Sequence, residues 1–162
     1  MHYTKLVGVG LCGLLSFLIS TQLFAQEDVV KKRKAFMEKN YDELKAIKKA
    51  VEEKDYATIQ VKAREIMGNM DTLVDYFPKN SITEKSRAKP EIWEKFDEFK
   101  KLPVKVKDVA DGLAKAAAAK DEARVQTQFK ALGSESPFRS GACYECHKDF
   151  RNNPPPVKKT EG

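Results

Sequence analysis

The chain has 162 residues, of which 41% are hydrophobic and 33% are charged, and its formal net charge is +6. This length suffices for one ordinary domain that buries a core without disulfide bonds. The basic residues are spread along the predicted helices, which indicates a solvated surface, with a preference for an acidic partner as the weaker alternative. No nucleic-acid-binding motif accompanies the charge, so we expect no nucleic-acid partner.

The first 25 residues predict a secretory signal peptide. Lys5 supplies a positive start, residues 6–23 are uncharged and mostly apolar, and Ala25 offers a small residue at the cleavage point. A retained membrane anchor is the alternative, but Gly, Ser, Thr and Gln interrupt the apolar run and no basic cluster follows it at once. We therefore expect an exported protein that has no stable membrane anchor after signal cleavage.

Apolar residues recur with helical spacing in four successive stretches, which predicts four helices. In the first stretch the residues that stand seven apart share one face: Val30, Met37, Leu44 and Val51. The second stretch steps by three and four residues from Tyr56 to Phe77. Residues 78–89 are polar and lack periodicity, which predicts a loop.

We predict that the third helix begins near Pro90. Proline has no backbone N–H, and in the first turn of a helix that group would have no hydrogen-bond partner in any case. Its apolar face includes Trp93, which is expected either to pack against a cofactor or to fill the core. Pro103 lies inside this helix and should kink or break it near Leu102.

The fourth predicted helix begins at Asp121 and is interrupted at Gly133 and Pro137. Ser136 is expected to cap a restarted helix that carries residues 141–151. Four amphipathic helices with short links predict an all-α fold, an antiparallel four-helix bundle over residues 26–152. The remaining residues, 153–162, are predicted to form a flexible tail.

The sharpest motif is Cys143-Tyr144-Glu145-Cys146-His147, which has the C-x-x-C-H spacing of a c-type haem attachment site. Two thiols at this spacing lie on one helix face, so both can form thioethers with one haem, and the adjacent imidazole can ligate the iron. After signal cleavage these are the only cysteines and the only histidine. A zinc ribbon would need a second Cys or His pair, and a thioredoxin-like pair would follow a strand. A disulfide in a haem-free bundle is the remaining alternative.

The C-x-x-C-H motif does not determine the second axial ligand of the iron. With no second histidine, the sixth ligand would be a methionine, a lysine or absent. The methionines after the signal are Met37, Met67 and Met70. Met37 and Met70 also occupy core positions of their helices, where packing is the more common role of methionine.

Two segments resemble the class II c-type cytochromes, the cytochrome c′ family. They are CYECHKDFR at residues 143–151 and RAKPEIW at residues 87–93. The resemblance spans essentially all of the chain after the signal and implies a four-helix bundle with one covalent haem c. Residues 133–140 are a few residues longer than the family pattern, which predicts a break before the haem motif.

The segment KKRKAFMEKN, residues 31–40, is similar to the low-spin branch of that family, with Met37 at the methionine position. The resemblance therefore implies His147 and Met37 as axial ligands. It also implies Arg33 near a haem propionate. Arg151 shares the helix face of His147, where we expect it either to contact a propionate or to lie beside the edge of the imidazole. For either arginine a solvated surface position is the alternative.

These assignments predict a periplasmic one-electron carrier of a Gram-negative bacterium, and not an enzyme. The alternative within the family is a five-coordinate, high-spin cytochrome c′ that binds NO or CO. Redox proteins are the expected partners. Dimerisation through the first two helices occurs in the family, so a homodimer is the alternative to a monomer.

Overall fold

The computed structural model describes residues 10–133 and 139–152, with side chains from residue 28 onward. The described residues form seven α-helices: α1 Gly10–Glu52, α2 Tyr56–Thr72, α3 Glu91–Glu94, α4 Phe96–Phe99, α5 Lys101–Ala118, α6 Glu122–Leu132 and α7 Gly141–Phe150. A 3-10 turn, Leu73–Tyr76, extends α2. Within the described ranges there is no β-strand, and one isolated antiparallel bridge pairs Ala88 with Arg151. The prediction of an all-α fold is confirmed.

Two of the sequence-based boundaries are not tested by these helices. Residues 1–9 of the predicted signal peptide and the predicted tail, residues 153–162, lie outside the described residues. The backbone of α1 runs unbroken through Ala25, where cleavage is predicted. In the part of the chain that the structure describes, no helix is long and apolar enough to cross a membrane.

The core lies between four long helices. Each of α1, α2, α5 and α6 contributes a large side chain with 0% of its surface exposed, and these are Ile47, Ile59, Leu113 and Leu132. Burial of such side chains stabilises a bundle by about 1.5–3 kcal/mol each. The apolar stripes that predicted these helices are therefore the faces that pack, and the four-helix bundle is confirmed.

Two tight turns lie together at one end of the bundle. The side chain of Asp55 caps α2, and that of Asp121 caps α6, each accepting a hydrogen bond from the backbone N–H three residues later. Lys54 in the first turn forms an ion pair with Glu122 after the second turn, with 2.8 Å between Nζ and Oε2. Short turns of this kind make consecutive helices antiparallel.

The third predicted helix is three helices in the structure. The boundary between α4 and α5 falls at Lys100, and Pro103 lies in the first turn of α5. Proline has no backbone N–H to donate to the carbonyl one turn earlier, so a helix breaks before it rather than running through it. The backbone also leaves the helical region at Lys95, with φ −116° and ψ 43°. No proline or glycine marks Lys95, and the sequence pattern therefore missed this second break.

The fourth predicted helix is interrupted where the sequence placed the break. Gly133 ends α6 with φ 134°, a conformation that favours glycine. The predicted cap Ser136 lies outside the described residues. In the described part, α7 begins at Gly141 and Ser140 occupies its N-cap position. The restarted helix covers residues 141–150, one residue fewer than predicted.

The predicted loop, residues 78–89, is confirmed and is tied to the end of α7. The backbone N–H of Lys89 donates to the carbonyl of Phe150 at 3.0 Å. The N–H of Asn152 donates to the carbonyl of Arg87 at 2.8 Å. These bonds fix the loop beside the helix that carries the C-x-x-C-H motif.

Candidate functional site

A cavity of about 460 Å³ opens in the half of the bundle away from the two tight turns. Its walls come from α1, α2, the loop before α3, and helices α3, α4, α5 and α7. Most of this lining is apolar and includes Leu44, Ile66, Phe77, Ile92, Phe99 and Val106. A concave site with apolar walls and few polar groups is the usual form of a cofactor pocket.

Helix α7 presents its motif to this cavity. Cys143, Cys146 and His147 all line it, because residues three and four apart share one face of a helix. Both cysteines are free thiols and half-buried. Burial raises the pKa of each thiol to about 12, and the charges of Cys143 and Asp149 add to the rise at Cys146. At neutral pH both side chains are therefore uncharged thiols that face an apolar space.

Two of the three candidate methionines line the same cavity. Met37 reaches it from α1 and is half-buried, and Met70 reaches it from α2 with 7% of its surface exposed. Met67 packs against the core but is not among the lining residues. The structure therefore brings Met37 and Met70, but not Met67, to the cavity that holds His147.

Arg33 lies one helical turn before Met37 and also lines the cavity. Only 6% of its surface is exposed, so it is not the solvated surface charge that the sequence left open. Its guanidinium group donates to the carbonyl of Tyr76 and to Ser81 and Ser86. A contact with a propionate stays a prediction for this residue.

Arg151 follows α7 and lines the cavity as a half-buried residue. Its pKa is lowered first by burial and second by the positive charge of Arg87. Arg87 also lines the cavity, and sequence reasoning did not select it as a site residue although it begins the RAKPEIW segment. Two neighbouring guanidinium groups at a cavity wall favour an anionic group between them.

Trp93 has a structural position. It does not line the cavity, and its indole Nε1 donates to the carbonyl of Phe77 at 3.1 Å. It packs against the core, which is the second of the two roles that the sequence left open.

The residues present fit a covalently attached haem. Two thiols, an imidazole and two thioether sulfurs line one largely apolar cavity, with guanidinium groups suited to the carboxylates of propionates. Among the described residues, no group of three or more His, Cys, Asp and Glu side chains could hold a bare metal ion. This donor set is that of a haem protein.

Comparison with known proteins agrees with this chemistry. A family model described as Cytochrome C' matches residues 28–151. A cytochrome c′ of Pararhodospirillum photometricum is 39% identical over 90 residues, which cover 55% of this chain and 66% of that protein. A cytochrome c′ of Rhodospirillum rubrum is matched over 56% of its length. A cytochrome c-556 of Agrobacterium fabrum is 34% identical over 125 residues, covering 75% of this chain and 80% of its relative.

Solved structures show the same fold. A cytochrome c′ described as having ligand-controlled dimer dissociation superposes with a TM-score of 0.67 at 23% identity, covering 79% of this chain and 97% of that chain. A nitric oxide complex of a cytochrome c prime variant from Alcaligenes xylosoxidans gives 0.66 at 22% identity, with 80% and 97% covered. At this identity the likeness concerns the fold alone.

Proposed function

Because this chain belongs to the cytochrome c′ family, whose members bind haem c covalently, we propose that it carries single electrons through one haem. In this proposal Cys143 and Cys146 hold the haem by thioethers, and His147 and Met37 are its axial ligands. The haem iron supplies the one-electron couple, and a closed coordination shell suits electron transfer because little rearrangement accompanies the change of charge. No substrate chemistry is part of this function, so the protein acts as a carrier and not as an enzyme.

The observation that carries the proposal is that Met37 and His147 line one cavity from different helices. Met37 projects from α1, whereas His147 projects from α7 beside the two thiols. Thioether sulfur is a common partner of histidine on haem iron and favours the ferrous state. The apolar walls would exclude water from the same space, which also favours the state of lower charge.

Export belongs to the same proposal. Removal of residues 1–25 would release residues 26–152 as the haem domain, followed by the tail at residues 153–162. We place the protein in the periplasm, where it would meet redox proteins. We also propose a homodimer as the assembly, because one structural neighbour is described by its dimer dissociation.

A second candidate function, the binding of a diatomic gas, is supported by the comparisons with known proteins. The relatives include proteins called cytochrome c′ as well as proteins called cytochrome c-556, and a structural neighbour is a nitric oxide complex. In a five-coordinate protein Met37 would only pack over the cavity, and an exogenous diatomic ligand could reach the iron. The state of the sixth position separates the two functions.

The experiment is an optical titration of the purified ferrous holoprotein with CO. If Met37 ligates the iron, CO leaves the wild-type spectrum unchanged, whereas Met37→Ala binds CO readily. Met70→Ala is the matched comparison, since Met70 lines the same cavity from α2. Rapid CO uptake by the wild type would establish the gas-binding function instead. CO uptake by Met70→Ala alone would transfer the ligand role to Met70.

The attachment is tested on the same material by mass. A haem bound through Cys143 and Cys146 stays with the polypeptide after denaturation, and the double substitution of both cysteines by alanine releases it. A denatured wild-type chain without the mass of a haem would contradict the proposed site and favour a disulfide between the two cysteines.

A further inference from the structure

Arg33 is a buried cation at the wall of the cavity. It lies on α1 with 6% of its surface exposed, one helical turn before Met37. Burying a charge in a protein costs several kcal/mol unless polar groups replace its water. The groups that replace the water around Arg33 indicate its role.

Protein oxygen atoms replace the water. Nε donates to the carbonyl of Tyr76 at 2.9 Å, and Nη2 donates to Oγ of Ser81 at 2.6 Å. Nη1 donates to Oγ of Ser86 at 3.1 Å, and both terminal nitrogens reach the carbonyl of Ser81 at 3.4 and 3.5 Å. These contacts match the five N–H groups of a guanidinium group. The chain itself therefore holds the guanidinium group of Arg33 in place.

All of these acceptors are uncharged. The remaining close contact is also neutral, with Cζ of Arg33 at 4.3 Å from the centre of the Phe77 ring. Among the described residues no carboxylate forms a hydrogen bond or an ion pair with Arg33. Burial lowers the pKa of Arg33 to about 10, which is the direction expected without a compensating carboxylate, and the group stays charged at neutral pH.

We propose that Arg33 is a fixed cation, paired with no carboxylate of the described residues, that raises the reduction potential of the haem, and that the loop oxygens hold it in place. Reduction adds an electron to the iron, and a positive charge at the wall of a cavity with low polarity stabilises the product. The inference rests on the proposed haem site, but it holds whether or not Met37 ligates the iron.

The decisive comparison is Ser86→Asp against Ser86→Asn. Oγ of Ser86 accepts hydrogen bonds from Arg33 and from the backbone N–H of Ala88 at 3.2 Å, and an Asp or Asn side chain can accept both. The two variants have nearly the same shape, but only Asp neutralises Arg33. We expect the reduction equilibrium of Ser86→Asp to shift toward the ferric state by about tenfold relative to Ser86→Asn, which is about 59 mV for a one-electron couple.

Removal of the charge itself is the second test. Arg33→Gln should lower the potential, and Arg33→Lys should restore most of it. Arg64→Gln is the control, because Arg64 is exposed on α2 and does not line the cavity. If Arg33→Gln does not fold, the Ser86 pair decides the question by itself.

Potentials are measured by spectroelectrochemical titration of the holoprotein, after haem content has been verified by mass. Equal potentials for Ser86→Asp and Ser86→Asn would overturn the inference, even if Arg33→Gln had an effect, because Arg33 would then act through the loop conformation. A shift in Arg33→Gln no larger than that in Arg64→Gln would overturn it as well. A chain without bound haem mass would instead refute the haem site, and CO binding by the wild type would refute only ligation by Met37.

Discussion

Replacement of Gly141 by alanine should displace the helix that carries the haem motif. Gly141 is the first residue of α7 and has φ +77°, in the region that L-residues rarely adopt. A Cβ atom at this position would lie 2.6 Å from the backbone nitrogen of Gly133 and 2.7 Å from the carbonyl oxygen of Ala131. Both neighbours are main-chain atoms at the end of α6, so no side-chain rotation can relieve the overlap.

The expected cost has two parts. The left-handed conformation costs an alanine about 1–2 kcal/mol, and overpacking against backbone costs about 1–3 kcal/mol. We therefore expect Gly141→Ala to lower the free energy of unfolding by about 3 kcal/mol, or the melting temperature by roughly 6–12 °C. Because Cys143 lies two residues later, the same shift should reduce the fraction of chains that carry haem.

Gly68→Ala is the matched control. Gly68 lies inside α2, and a Cβ atom there would have nothing within 4 Å. Alanine is favoured over glycine in a helix, so this variant should gain about 0.5–1 kcal/mol. Urea unfolding followed by circular dichroism measures both variants, and haem content per polypeptide is read from the optical spectrum. Equal free energies of unfolding for Gly141→Ala and Gly68→Ala would contradict the close approach of the end of α6 to Gly141.

Two further changes test the core and a helix cap. Leu113→Ala removes a side chain with 0% exposure and should cost about 3 kcal/mol by urea unfolding, whereas a loss below about 1 kcal/mol would mean that the core is not packed as described. Asp55→Ala should destabilise the protein at neutral pH. Hydrogen bonds from Thr58 lower the pKa of the Asp55 carboxyl, so its stabilising effect is present above the unfolded-state pKa and is lost as the pH falls through the folded one. A difference between Asp55→Ala and wild type that persisted unchanged in strong acid would contradict the cap.

The sequence located most of the candidate site because its chemistry is local. A C-x-x-C-H motif on a helix places two thiols and an imidazole on one face by helical geometry alone, and all three line the cavity. The resemblance to a known family selected Met37, and the structure brings it to the same cavity. Arg87 could not be identified in this way, and Met70 could not be separated from Met67, because a loop cation and a core methionine become cavity residues only when distant helices meet.

Helical periodicity by itself determined the fold class. Four apolar stripes at intervals of three and four residues can be buried only against one another, and the resulting bundle follows without knowledge of side-chain detail. The tertiary structure alone decided the environment of the charges. Arg33 is a surface-type residue by its local sequence, yet it is buried because oxygens more than forty positions away, at Tyr76 and Ser81, converge on it. Electrostatic effects depend on such distances and on local polarity, which spacing along the chain does not encode.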